Sequence, residues 1–266
     1  METMSQLQAP LPVLNVRLQL DEYQGLAVTP WYSYSVLLPN RPLPNISKRP
    51  HIKTARLVVR PVTLDDLDGL HDLRQRPKLQ LHSKTRGRPN RSKDETRQHI
   101  EEMAEDEPTH WNFGAFLQST GELIGEGGLP DCVHMVTSTS GWPEAEFFIK
   151  PEYWRQGYGT ELYNAVMDSW WDLSRERRRQ QLHPAVAPGK EPGDPVAEGV
   201  MFGWENGNDA ALGFFSKVLA NAPIFAEGGY ESIDMREGRE GSLVRWDGAL
   251  VINPRPPRED ESQSEG

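Results

Sequence analysis

Ala145-Glu-Phe-Phe-Ile-Lys-Pro-Glu-Tyr-Trp-Arg-Gln-Gly-Tyr-Gly-Thr-Glu161 is the stretch on which the reading of this chain turns. Glu144 to Ile149 reads as a strand. Its tail, Phe147-Phe148-Ile149, is apolar without alternation, as expected for a strand buried on both faces. Pro151 to Gly159 then bends the chain on two glycines, and a helix follows. Leu162, Val166, Trp170 and Leu173, with Ala165 and Ser169, line one side of that helix. A turn entering a helix leaves several backbone N–H groups unpaired and aimed at one point, and the helix dipole adds about half a positive charge there. The result is an anion site, and glycine lets a diphosphate approach the backbone closely. A tight turn that merely packs would carry the same Gly-x-Gly, so the turn alone does not decide.

Working outward, Arg56 to Pro61 reads as a strand, and Thr63-Leu-Asp-Asp66 as a capped helix start with Leu64, Leu67 and Leu70 as its apolar stripe. Ser83 to Asn90 is a loop, and Ser92-Lys-Asp-Glu95 opens a second helix through Met103. Asn112 to Leu117 and Leu123 to Leu129 are strands joined by a turn at Thr120-Gly121. Beyond the central helix, Arg175 to Asp194 reads as an inserted loop, Val196 to Trp204 as a strand and Asn208 to Leu219 as a helix. Strands at about Tyr230 to Met235 and Ser242 to Val251 close the domain. The order β-α-α-β-β-β-α-β-α-β-β is a mixed α/β plan, and the strand-helix-strand unit over 144–204 is the natural place for a parallel pair. Upstream, residues 1–50 are proline-rich, with alternation at Leu14 to Leu20 and at Trp31 to Val36. They read as an N-terminal extension, partly ordered, with a hairpin packed on the main domain. The domain proper spans 51–252 with an insert at about 175–195, and 253–266 reads as a disordered tail.

Composition sets outer limits. The chain has 266 residues, enough for one domain with extensions and a proper core. Its formal net charge of -10 repels phosphate backbones, which argues against direct nucleic-acid binding. No apolar run approaches the ~20 residues that span a bilayer, and no secretory signal is visible. A single cysteine, Cys132, excludes an intrachain disulfide and suits a reducing compartment. The cytosol is the expected location, with nuclear access open. Cys132 and His134 lie two apart, but nothing nearby completes a zinc set, so no metal is expected. Lys84, Arg86, Arg88, Arg91 and Lys93 form a basic loop that suits an acidic acceptor or a solvated face. Arg175 and Arg177 to Arg179 read the same way.

Four segments in order resemble the GNAT superfamily of N-acetyltransferases: Thr54 to Pro61, Gly121 to Gly125, Ala145 to Glu161 and Asn208 to Lys217. The third is the most specific. The resemblance runs from about Thr54 to Val251, and its style is closest to the RimJ/RimL-like branch that acetylates ribosomal-protein N-termini. It implies a mostly antiparallel central sheet with a parallel, splayed strand pair and flanking helices. It implies acetyl-CoA as co-substrate, with the pyrophosphate on the backbone amides of Arg155, Gln156, Gly157, Tyr158, Gly159 and Thr160. Ile149 and its neighbours would pair with the pantetheine arm, and a backbone N–H there would polarise the thioester carbonyl. Asn208 would hold the pantetheine near the sulfur, although the residue equally suits a helix cap.

The acceptor would be an amine of a protein N-terminus, a lysine or a small molecule, attacking the thioester directly in a ternary complex. Glu146 matches the family's strand carboxylate and is the candidate base, against a purely structural role. Two positions depart from the pattern. Trp154 stands where glutamine or arginine is common, and Phe215 stands where many members place a tyrosine that protonates the leaving thiolate. A non-catalytic acyl-CoA-binding or protein-interaction module on the same fold is therefore the alternative. Oligomeric state stays open.

Overall fold

The structure, a computed structural model, describes residues 31–83, 88–104, 108–134, 140–234, 236 and 238–255. In chain order its strands are β1 (Tyr32–Pro39), β2 (Ile52–Lys53), β3 (Leu57–Arg60), β4 (Trp111–Leu117), β5 (Leu123–Leu129), β6 (Glu144–Ile149), β7 (Arg175–Leu182), β8 (Pro195–Val196), β9 (Gly199–Glu205), β10 (Ile224–Ile233) and β11 (Leu243–Ile252). The helices are α1 (Leu67–Arg74), α2 (Pro77–Gln80), α3 (Lys93–Met103), α4 (Tyr158–Trp171) and α5 (Asp209–Val218). Eight strands form one sheet in the order β10-β11-β9-β6-β5-β4-β3-β2. Every neighbouring pair is antiparallel except β6–β9, which is parallel. A second sheet, β7-β1-β8, lies outside it.

Local chemistry places the helices on the two faces. Thr63 and Asp66 exchange the capping-box bonds that start the turn into α1. Ser92 Oγ accepts from the Glu95 N–H at 3.2 Å to start α3, while the Glu95 carboxylate accepts from the Arg91 N–H instead of the Ser92 one. Leu70, Leu73, Ile100 and Met103 of these helices cover Phe116 and Leu123 on one face. On the other face, Leu162, Val166 and Trp170 of α4 pack on Trp111, Phe113, Ile149 and Phe202. Both Trp170 and Trp171 are core residues.

Four differences from the sequence reading have physical causes. Arg175 to Leu182 is not a loop but β7, whose eight residues pair antiparallel with β1. Its polar run carries no apolar alternation because β7 is an edge strand held by its backbone ladder to β1; the apolar half of the pair comes from Tyr34, Val36 and Leu38 of β1, which pack on Trp142 and Leu250. At β1 the extension pairs with a segment 136 to 150 residues away, and Leu14 to Leu20, the other half of the expected hairpin, lies outside the described residues. The strand expected over Val196 to Trp204 breaks after Val196 as it passes from one sheet to the other. Finally, the first residues of the expected disordered tail are tied down: Asn253 bonds Glu198, and Arg255 bonds Asp168 and Asp172.

Candidate functional site

The parallel pair opens almost as soon as it forms. Glu144 faces Met201 and Ala145 faces Phe202, and the ladder ends there, while β6 continues along β5 to Ile149. Backbone groups alternate sides along a strand. The Lys150 N–H bonds Ile124 of the β5 side, and the Pro143 carbonyl accepts from Met201 on the β9 side. The backbone groups of Phe147 and Ile149 therefore point into the gap between β6 and β9. One of them is used: the Trp154 indole N–H donates to the Ile149 carbonyl at 2.5 Å. Phe147 and Phe148 are only half-buried. The sequence expected this tail to be covered on both faces, and the open edge is why it is not.

The gap ends at the glycine turn. Arg155 has φ 59° and Gly157 φ 87°, both left-handed, so the chain reverses here against the preference of a β-carbon at 155. The first helical bond runs from the Glu161 N–H to the Gly157 carbonyl at 3.1 Å. The N–H groups of Tyr158, Gly159 and Thr160 therefore precede the α4 ladder. Trp154 to Gln156 are exposed and Gly157 to Thr160 half-buried. A β-carbon on Gly159 would lie 3.2 Å from the Phe214 ring and 3.8 Å from Ile149. The absent side chain lets the Phe214 ring of α5 pack close to the α4 backbone.

Arg56 holds the turn. Its guanidinium donates to the Gln156 carbonyl at 2.8 Å, pairs with Glu161 at 2.8 Å and lies 4.1 Å from the centre of the Tyr158 ring. Thr54 also bonds Glu161. Those bonds hold the Glu161 carboxyl below its usual range, against the opposing effect of burial, and Arg56 balances its charge in the first turn of α4. Neither Arg56 nor the Trp154 bond was legible beforehand. The Arg56 partners lie about a hundred residues away, and nothing in a strand's first residue announces them.

The remaining sequence candidates fall on two faces. Glu146 pairs with Gly128 of β5, so its side chain lies on the α1–α3 face, half-buried, opposite to α4. Asn208 caps α5, its Oδ1 accepting from the Ala211 N–H at 3.1 Å. Phe215 is buried and stacked on Trp204 at 5.2 Å. Around it Phe147, Tyr163, Phe202 and Phe214 form a continuous ring cluster behind the gap. Burial pushes the Tyr163 hydroxyl up to about 12.

In the basic loop, Arg88 pairs with Glu95 and Lys93 with Asp68, while Lys84 and Arg86 lie outside the described residues. Among the described residues no three His, Cys, Asp or Glu side chains gather as a metal set, and no helix is long and apolar enough to cross a membrane. Cys132 is buried, and burial pushes its thiol up to about 12. We therefore expect no reaction of the native protein with Ellman's reagent over an hour at pH 8, and one equivalent after denaturation.

A mixed sheet opened at one parallel pair, with a helix N-terminus at the mouth of the opening, is the architecture of GNAT-type acetyltransferases. The sequence model of the acetyltransferase (GNAT) domain matches residues 56–189, and the chain belongs to that family. Two solved structures share the fold. A GNAT-family acetyltransferase from Bacillus anthracis is 12% identical, with a TM-score of 0.51 over 77% of this chain and 99% of its own. Spermidine N-acetyltransferase from Vibrio cholerae, solved with CoA and spermine, is 14% identical, with a TM-score of 0.52 over 75% of this chain and 97% of its own. No curated protein sequence matches the chain significantly.

Proposed function

We propose that the protein is an N-acyltransferase that moves an acetyl group from acetyl-CoA to a primary amine. One observation carries this reading: an unpaired strand edge beyond Ala145 leads straight to the free amides of Tyr158, Gly159 and Thr160. The residues present fit the donor. The amides between Arg155 and Thr160 and the α4 dipole suit a diphosphate, and Gly159 leaves room for it. The Phe147 backbone and the Ile149 N–H suit an amide-bearing arm laid along the edge as an added strand. An N–H on this edge can polarise the thioester carbonyl. Asn208 has spent its Oδ1 on the helix cap, which leaves its Nδ2 to donate to the arm.

The acceptor would approach from the α1–α3 face, where Glu146 meets it. The Glu146 carboxylate would hold the ammonium and is the first candidate to take its proton. The Phe215 ring cannot protonate the departing thiolate, so that proton would come from the amine itself or from water. The acceptor class stays at primary amines: protein N-termini, as in the ribosomal-protein branch that the sequence resembles, lysines and small amines.

Phe215 and the ring cluster behind the gap favour one second reading, a module that binds acyl-CoA without transferring the group. Two measurements separate them. Acetyl-CoA at a hundred times its Kd should raise Tm by about 5 °C or more, since ~2.7 kcal/mol of linkage is available. Thiol release over a panel of amines should then find an acceptor. No thermal shift would sink both readings, and a shift without release on any amine would leave the binding module.

A further inference from the structure

Across the gap from Glu146 stands a second group that the acyl-transfer reading has not used. Extending the β6–β9 register beyond its last pair sets Glu146 level with Gly203 and Phe148 level with Glu205. Phe202 and Trp204 face α4, so Gly203 and Glu205 face the same side as Glu146. A β-carbon on Gly203 would meet nothing closer than the Asp247 carbonyl at 3.9 Å. The β9 strand therefore leaves free space at Gly203 on the face that also carries Glu205.

On that face, Glu205 accepts from His82 Nδ1 at 2.8 Å. The carboxylate is itself fixed, with Arg236 at 3.0 Å and Arg239 at 2.5 Å. The three bonds hold its pKa down at about 2 against the effect of burial, so it is an anion throughout the neutral range. Arg236 also donates to the Leu81 carbonyl, the residue before His82, and is anchored on Asp234. An imidazole whose Nδ1 is bonded to a carboxylate carries its proton there and presents Nε2 as an acceptor. His82 Nε2 has no partner among the described residues, and the side chain is 33% exposed. Among the described residues, the charged groups linked to it are Glu205 of β9 and, through Glu205, Arg236 and Arg239 of the β10–β11 connection, which also pair with Asp234.

We propose that His82, oriented by Glu205, takes the proton from the acceptor's ammonium, a role that rests on the acyl-transfer reading. The proton moves from the ammonium to Nε2 and leaves the amine with its lone pair. The N–C bond forms as the C–S bond breaks, and the bonding pair departs on sulfur as a thiolate. The second amine proton ends on that thiolate, and Nε2 returns the first to water. Ammonium and thioester thus become amide, thiol and one released proton. Glu146, on the opposite wall, then holds the ammonium by its charge, and Glu205 is a positioning residue.

His82→Asn tests this, because its Nδ2 can keep the bond to Glu205 while Nε2 is lost. With an acceptor found for the wild type, we expect kcat to fall about 100-fold, in the range for removal of a general base. KM for acetyl-CoA and Tm should stay unchanged. Imidazole at tens of millimolar should restore part of the rate, and the acid limb of the kcat profile should flatten. Glu146→Gln should instead raise the acceptor KM and keep that limb. Turnover of His82→Asn within twofold of wild type with an unaltered profile would overturn the assignment. So would a slow variant that imidazole does not rescue. A wild type that releases no thiol from any amine fails at the earlier step and rejects the acyl-transfer reading with it.

Discussion

Gly159→Glu should lose coenzyme A binding by at least about 100-fold while melting no lower than the wild type. The two effects have opposite signs because they draw on the same feature. Gly159 is the second residue of α4, where backbone N–H groups lack helical partners. A carboxylate here sits in the positive end of the helix and stabilises it by ~0.3–1 kcal/mol, and glutamate exceeds glycine in helix propensity by a similar amount. The Phe214 ring, 3.2 Å from the new β-carbon, must yield by a few tenths of an ångström, which takes back part of that gain. The same carboxylate occupies the amides and places a charge of the wrong sign against the diphosphate. Calorimetric titration with coenzyme A, beside a melting curve, reads both. Wild-type affinity in this variant would mean that the diphosphate does not dock on α4. A collapse of both affinity and Tm would mean that the glycine is needed only for packing.

The strand, turn and helix of the proposed donor site were legible in the sequence because their determinants are local. The strand, the two glycines and the helix stripe lie within about thirty consecutive residues, and each has its own pattern: an apolar run, a break, a 3.6-residue period. The boundaries of β6 and the α5 cap at Asn208 follow for the same reason. What stayed hidden depends on contacts between distant segments. The β7 strand has no apolar alternation of its own, and its pairing rests on β1 far upstream. His82 reads as a polar loop residue until the fold brings Glu205 within 2.8 Å of it, 123 residues on. The basic residues Arg175 and Arg177 to Arg179 suggested an acidic acceptor or a solvated face. Their first member is in fact among the most enclosed cations of the molecule, with a side chain 9% exposed.

Arg175→Leu should destabilise the protein by about 3–5 kcal/mol, the cost of leaving a buried charge without its partner. Glu198 has a side chain 2% exposed and is bonded by Arg175 at 2.6 Å and by Asn253 at 3.0 Å. The same guanidinium donates to the carbonyls of Trp170 and Trp171 at the end of α4 and of Leu173 just beyond it. At ~2–4 °C per kcal/mol for a chain of this size, Tm should drop by about 10 °C. The loss should also depend on pH. Burial raises the Glu198 carboxyl above its ordinary 4.5, and Arg175 pulls it back. Without Arg175 the folded pKa rises further, so protonation can relieve the buried charge in acid. Stability linked to a raised pKa is present below the unfolded value and is lost as pH climbs through the folded one. The deficit of Arg175→Leu against wild type should therefore be smallest near pH 4.5 and grow toward pH 8. Replacing Glu198 by leucine as well should recover at least half of the loss at pH 8, since a well-packed apolar pair matches a buried ion pair in stability. A deficit that is flat in pH and untouched by the second substitution would place the effect in the α4 carbonyls alone.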